Sequence, residues 1–149
     1  MSLDANLAIL HHLLAFGLVG LLMAEWAVLR GVASPESVRF LSKIDLAYGL
    51  VAGLLLIVGY LRLRYGVKGS AFYSGNPVFW LKIAFFFATG LVSIIPTIAF
   101  IRWSRALKAA GALPASAQWV RMRRLVTLEL HLLALVMIFA AIMARGIGL

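Results

Sequence analysis

Eight ionisable side chains stand inside or at the margins of long apolar runs: His11, His12, Glu25, Asp45, Lys82, Glu129, His131 and Arg145. At the centre of a membrane helix each such group costs roughly 2.5–3.5 kcal/mol, so each is a functional candidate that needs a partner. Their depths, taken at about 1.5 Å per helical residue, sort them into two groups. His11, His12, Lys82 and Arg145 gather toward one side of the bilayer, where Arg62, Arg64, Lys68 and Tyr73 are within reach. Histidine is a ligand for haem iron, and lysine and arginine pair with its propionates. This group predicts a haem b site with His12 on the iron, His11 in reserve, and Lys82 and Arg145 on the propionates or on another anionic ligand. The alternatives are histidines that only pack between helices, or a quinone or metal site. Glu25, Asp45 and Glu129 fall toward the opposite side. There Arg123 and Arg124, with Lys43 and Arg102 nearby, make them structural ion pairs that fix helix packing. A proton or metal site shared with His131 is the other reading. His131 lies between the groups, roughly 12–14 Å from His12 along the membrane normal, so it is poorly placed as the second axial ligand of one iron.

These residues require elements that carry them through lipid. Of 149 residues 64% are hydrophobic and 13% charged, with a mean hydropathy of +1.02. Soluble domains are about 25% charged, so the expected solvent is a bilayer. The pattern predicts spans over residues 7–29, 44–61, 77–101 and 125–144, each long enough for a hydrocarbon core of about 30 Å. Ser34 is expected to cap a short amphipathic turn that Pro35 opens. The connection from Tyr65 to Pro77 reads as an interfacial loop, with Pro77 opening the third span. Pro96 predicts a bend in that span, with Ser93 and Thr97 serving freed backbone groups. Residues 118–124 read as a basic helical segment before the fourth span.

The expected fold is all-α, an integral membrane four-helix bundle forming one domain over residues 1–149. Cysteine is absent, which excludes disulfides and thiolate chemistry. The first six residues carry no Lys or Arg, so the first apolar run reads as a retained span and not a signal peptide. The net charge of +9 suits cytoplasmic loops and anionic lipid, not nucleic acid. The first and third connections hold nine basic residues (Arg30, Arg39, Lys43, Arg102, Arg105, Lys108, Arg121, Arg123 and Arg124). The second connection and the C-terminus hold four, Arg62, Arg64, Lys68 and Arg145. The positive-inside rule then places those nine in the cytoplasm and both termini outside it.

Several stretches carry a family resemblance: His11-His12-Leu13-Leu14-Ala15-Phe16 with Ala24-Glu25, Asp45-Leu46-Ala47-Tyr48-Gly49, Lys68-Gly69, Phe72-Tyr73, Asn76-Pro77 with Phe79 and Lys82, Ser93-Ile94-Ile95-Pro96-Thr97, and Ala144-Arg145-Gly146. Over nearly its whole length the chain resembles domain-of-unknown-function family 2214, small bacterial membrane proteins. That implies a four-span inner-membrane protein and no particular activity. More distantly it resembles the HemJ-type protoporphyrinogen oxidases and the CopD-like membrane proteins. The HemJ-type pattern is matched by His12, Lys82, Glu129 and Arg145. It implies that His12 is a haem ligand and that the cations hold carboxylates of haem or porphyrin. His131 has no counterpart in that pattern, and the loop between spans two and three differs.

Two function classes follow. One is a haem b-binding membrane protein in redox or electron transfer, an oxidoreductase if it is an enzyme, with a quinone, porphyrin or redox protein as partner. The other is a cofactor-free small membrane carrier, a metal or proton site, or an assembly partner. The small-residue stretch Gly49-Leu50-Val51-Ala52-Gly53 would let a second copy pack closely as a homo-oligomer.

Overall fold

The computed structural model describes residues 2–66 and 73–146. Four long helices account for nearly all of them: α1 (Leu3–Arg30), α2 (Pro35–Tyr65), α3 (Pro77–Ala110) and α4 (Ser116–Ala144). Each packs against its two neighbours in the ring α1–α2–α3–α4, with the closest contacts between α1 and α2 and between α3 and α4. All four are long and apolar enough to cross a membrane. Their outer faces are greasy: Leu13, Phe16, Leu46, Leu50 and Leu91 are all more than 60% exposed. In water such a surface would drive aggregation; in lipid it is the solvated face. The chain is thus an all-α membrane bundle, as its composition requires.

The helices overrun the predicted spans because hydropathy marks only the hydrocarbon portion. At 28 to 34 residues they are about 42–51 Å long. α2 begins at Pro35, not at residue 44. Ser34 accepts from the Ser37 backbone N–H at 3.1 Å and the Ser37 hydroxyl accepts from the Ser34 N–H at 2.8 Å. This reciprocal cap starts a helix that nothing between residues 35 and 44 interrupts. The expected amphipathic turn is therefore the first part of α2. Likewise the basic segment at 118–124 is continuous with α4. Asn76 caps α3 through its side chain to the Val78 N–H, with Pro77 at the first helical position. Gly111 closes α3 at φ 64°, a left-handed conformation that favours glycine. Of the predicted interfacial loop, residues 67–72 lie outside the described residues.

Pro96 sits buried within α3, which runs as one helix from Pro77 to Ala110. Of the two hydroxyls expected to serve backbone groups around it, one bonds backbone and the other does not. Ser93 donates to the Gly90 carbonyl at 2.8 Å, and Thr97 donates across the bundle to Asp45 at 2.8 Å.

Burial is uneven along the bundle. The densest packing lies toward the end that carries the two short links, residues 31–34 and 111–115. There Leu22, Leu29, Val38, Leu41, Phe100, Trp103, Leu107, Trp119, Met122 and Val126 are all buried. Trp103 and Trp119 stack at 5.5 Å. The Trp119 indole donates to the Gly31 carbonyl at 2.9 Å, and the Trp26 indole donates to Thr127 at 3.2 Å. These two bonds fix the register of α4 against α1 and so set the level of everything below them.

Candidate functional site

Just beneath this aromatic layer the bundle holds three carboxyl groups from three helices. Glu25 (α1), Asp45 (α2) and Glu129 (α4) are 2%, 7% and 1% exposed. Sequence local to each explains the inward aim. Glu25 shares its face of α1 with Leu18, Leu22 and Leu29. Asp45 shares its face with Leu41 and Tyr48, and Glu129 with Met122, Val126 and Leu133, all of them buried at three- or four-residue spacing. Glu25 lies within electrostatic reach of both Asp45 and Glu129. The Tyr48 hydroxyl faces the Glu129 carboxyl. Thr97, from α3, donates to Asp45 Oδ1. All four helices thus contribute a polar group to one layer.

What that layer lacks is a counter-charge. Glu25 Oε1 and Glu129 Oε1 are buried with no hydrogen-bond partner among the described residues. The expected ion pairs to Arg123 and Arg124 are absent: among the described residues none of the three acids is paired with a lysine or arginine. Arg124 is exposed and lies beside Ser116, Val120 and Arg121 on the surface of α4. The longer helices explain the difference. Glu129 is 13 residues inside α4, about 20 Å from its start, not near a helix end as the span over 125–144 implied. Tyr48 and Thr97 were not recognised from sequence as members of this layer. The signal available was Tyr48 three residues after Asp45, which puts both on one face of α2.

The other expected group separates into parts. His11 faces α2, its ring against Gly59: a Cβ there would lie 3.4 Å from His11 Cε1. Arg62 and Lys82 are the charges nearest to it, with His12 behind them. Lys82 Nζ also lies 5.1 Å over the Phe79 ring. His12 points outward, exposed, and its Nδ1 is 2.6 Å from the Ala8 carbonyl. His131 does the same on α4, 2.7 Å from the Thr127 carbonyl. Because Thr127 is level with Trp26, His131 stands near Leu22, about 15 Å in level from His12. Arg145 is exposed at the end of α4 and is not among the charges acting on His11 or Lys82. The structure therefore joins His11 with Lys82 and Arg62, keeps the His12 ring edge-on to that of His11 at 6.3 Å but on the exposed side, and leaves His131 and Arg145 apart.

Among the described residues no three His, Asp or Glu side chains are arranged to hold a metal ion. No curated protein and no solved structure matches the chain. Residues 3–148 match the family model described as predicted membrane protein (DUF2214), and with nearly its full length covered the chain belongs to that family of membrane proteins.

Proposed function

We propose that the protein is a cofactor-free membrane carrier of protons, with Glu25, Asp45 and Glu129 as its proton-binding site and Tyr48 and Thr97 as the groups that orient it. The observation that supports this is the pair of buried, unpartnered carboxyl oxygens on Glu25 and Glu129. Carboxylates enclosed together without a cation repel one another strongly in a low dielectric, so protons taken from solution balance their charge. A carboxyl group accepts when ionised and donates when protonated, which lets neighbours in one layer pass a proton among themselves. The test is proton flux in proteoliposomes under an imposed pH gradient, read with an enclosed dye. Glu25→Gln and Glu129→Gln each keep the shape and remove the exchangeable site, and each is expected to slow flux about a hundredfold or more, the range of one positioned proton-transfer group. Wild-type flux no greater than that of protein-free liposomes overturns the proposal.

One observation favours a second reading, a haem b held on the outer face of α1. The Ala8 carbonyl can only accept, so His12 Nδ1 carries a hydrogen and its Nε2 is turned outward, as in ligating histidines whose other nitrogen is anchored to backbone. His131 is too far away in level to be the opposite ligand within one chain, so that ligand would come from a second copy or a small molecule. A quinone, porphyrin or protein redox partner belongs to this reading alone. The visible spectrum with and without dithionite tests it: a Soret band lost in His12→Ala supports it, and a colourless preparation from haem-replete cells ends it.

For either reading we place the protein in the inner membrane with both termini outside the cytoplasm, on the nine-to-four division of basic residues. A C-terminal reporter active only in the cytoplasm is expected to be silent. Activity there reverses the orientation.

A further inference from the structure

The cluster of His11, Arg62 and Lys82 is built by three helices: the third turn of α1, the last turn of α2 and the second turn of α3. Each side chain is partly buried. Two of their polar atoms, His11 Nδ1 and Arg62 Nε, are buried without a hydrogen-bond partner among the described residues. An unmet donor in a dry place costs roughly 1–3 kcal/mol, and more on a charged group. The nearby charges do not relieve it, since Arg62 and Lys82 both add positive charge. The chain's own acids are accounted for elsewhere. It has five: Glu25, Asp45 and Glu129 fill the opposite layer, Glu36 is exposed in the first turn of α2, and Asp4 lies beside Gly66 nearer the helix ends. None of them is paired with Arg62 or Lys82. Gly59 leaves room for the His11 ring, whose Cε1 and Nδ1 would lie 3.4 and 3.8 Å from a Cβ at that position.

We infer that His11, Arg62 and Lys82 form a binding site for a phosphate group, and that its source is the headgroup of an anionic membrane lipid. Arg62 lies three residues and Lys82 five residues from a helix end, about 5–8 Å along the axis, which is the depth of a headgroup and not of the bilayer centre. A phosphate oxygen between them accepts from Arg62 Nε, from Lys82 Nζ and from His11 Nδ1 when that nitrogen carries its hydrogen. Arginine supplies directional donors and lysine a mobile point charge, and His12, turned away, takes no part.

The experiment uses the full chain in detergent, stripped of lipid, with binding read by native mass spectrometry and thermal unfolding. Phosphatidylglycerol, phosphatidylcholine and inorganic phosphate are the probes. Phosphatidylglycerol is expected to bind with at least about tenfold preference over phosphatidylcholine, and Arg62→Gln and Lys82→Gln each to weaken it about tenfold, the loss of one charge-assisted bond. Arg121→Gln, at the other end of the bundle, is the control and leaves the affinity unchanged. Arg62→Lys restores part of the affinity, which separates a lost ligand contact from a misfolded helix. Inorganic phosphate binding with the same dependence on Arg62 and Lys82 would overturn the lipid as source. Equal phosphatidylglycerol binding by wild type, Arg62→Gln and Lys82→Gln would overturn the site itself.

Discussion

The two ends of this bundle solve the same electrostatic problem in opposite ways. Toward the 31–34 and 111–115 links, three acids lie in one layer under Phe100, Trp103 and Trp119 and are shut in almost completely. Toward the other end, His11, Arg62 and Lys82 are only partly covered, and the described helices bury few large side chains around them, Leu55, Val58 and Met143 among them. Carboxylate side chains are short and cannot reach water from that depth. Lysine and arginine have long stems and can carry their charge to the interface. A buried acid must therefore be neutralised where it stands, whereas a cation at a loose helix end can meet a ligand that arrives from the membrane. Packing density, more than charge, separates a site suited to protons from one suited to a headgroup.

The largest expected effect tests that distinction directly. Replacing buried ionic groups with apolar residues of similar size is often neutral or stabilising, by about 1–4 kcal/mol where whole ion pairs are exchanged, and here each glutamate holds a buried oxygen with no partner among the described residues. Glu25→Leu and Glu129→Leu are therefore expected to raise the unfolding midpoint in detergent while abolishing proton flux. Arg62→Met, at the loose end, removes one unmet donor and is expected to gain about 1–3 kcal/mol with the lipid absent and to lose that gain when anionic lipid is added. Stability losses of several kcal/mol in both glutamate variants would mean that these acids are structural after all, and the contrast between the ends would disappear.

Thr97→Val comes next. It removes the 2.8 Å bond to Asp45 and nearly conserves volume, leaving a buried carboxyl oxygen unmet. The expected cost is about 1–3 kcal/mol, measured by reversible unfolding. In Thr97→Val/Asp45→Leu that cost should largely vanish, because no orphaned oxygen remains. A cost that persists in the double variant would assign Thr97 to the packing around Pro96 instead.

How much of this was legible in the sequence follows from what each signal measures. Hydropathy located all four helices, because twenty or so apolar residues have no other stable arrangement in lipid. Ser34-Pro35 and Asn76-Pro77 marked two helix starts, because caps are local chemistry. The same hydropathy misplaced the ends of α2 and α4, since a basic helix leaving the bilayer is no longer apolar yet has no reason to stop. That error carried into the acid layer: with the fourth span begun at residue 125 and the basic helical segment 118–124 set before it, Glu129 fell beside the arginines instead of deep among Tyr48 and Leu133. Which of His11 and His12 turns inward was not legible, because sequence gives a helix face only relative to its neighbours. The ring that turns inward is decided by where Gly59 and Lys82 meet α1, a long-range fact. Arg62 was within the expected cluster, but its unmet Nε could not be seen until three helices were in place.

The smallest predicted effect concerns how the dense end keeps its register. The Trp119 indole reaches from the first turn of α4 to the Gly31 carbonyl in the link between α1 and α2, while its ring stacks on Trp103. Trp119→Phe keeps much of the stacking and removes the bond, so it should cost only about 0.5–1.5 kcal/mol. Its diagnostic value lies in where the loss appears. Gly31 is followed by the Ser34 cap, and the Trp26–Thr127 bond lies further into the bundle. If Trp119 pins the link from above, hydrogen exchange should quicken at the amides of residues 31–38 and leave those near Asp45 and Tyr48 unchanged, since the lower bond still holds α1 to α4. Faster exchange spreading to the acid layer would mean that the aromatic cover and the carboxyl site open as one unit. In that case the dense end is no fixed lid over the acids but part of the path by which protons reach them.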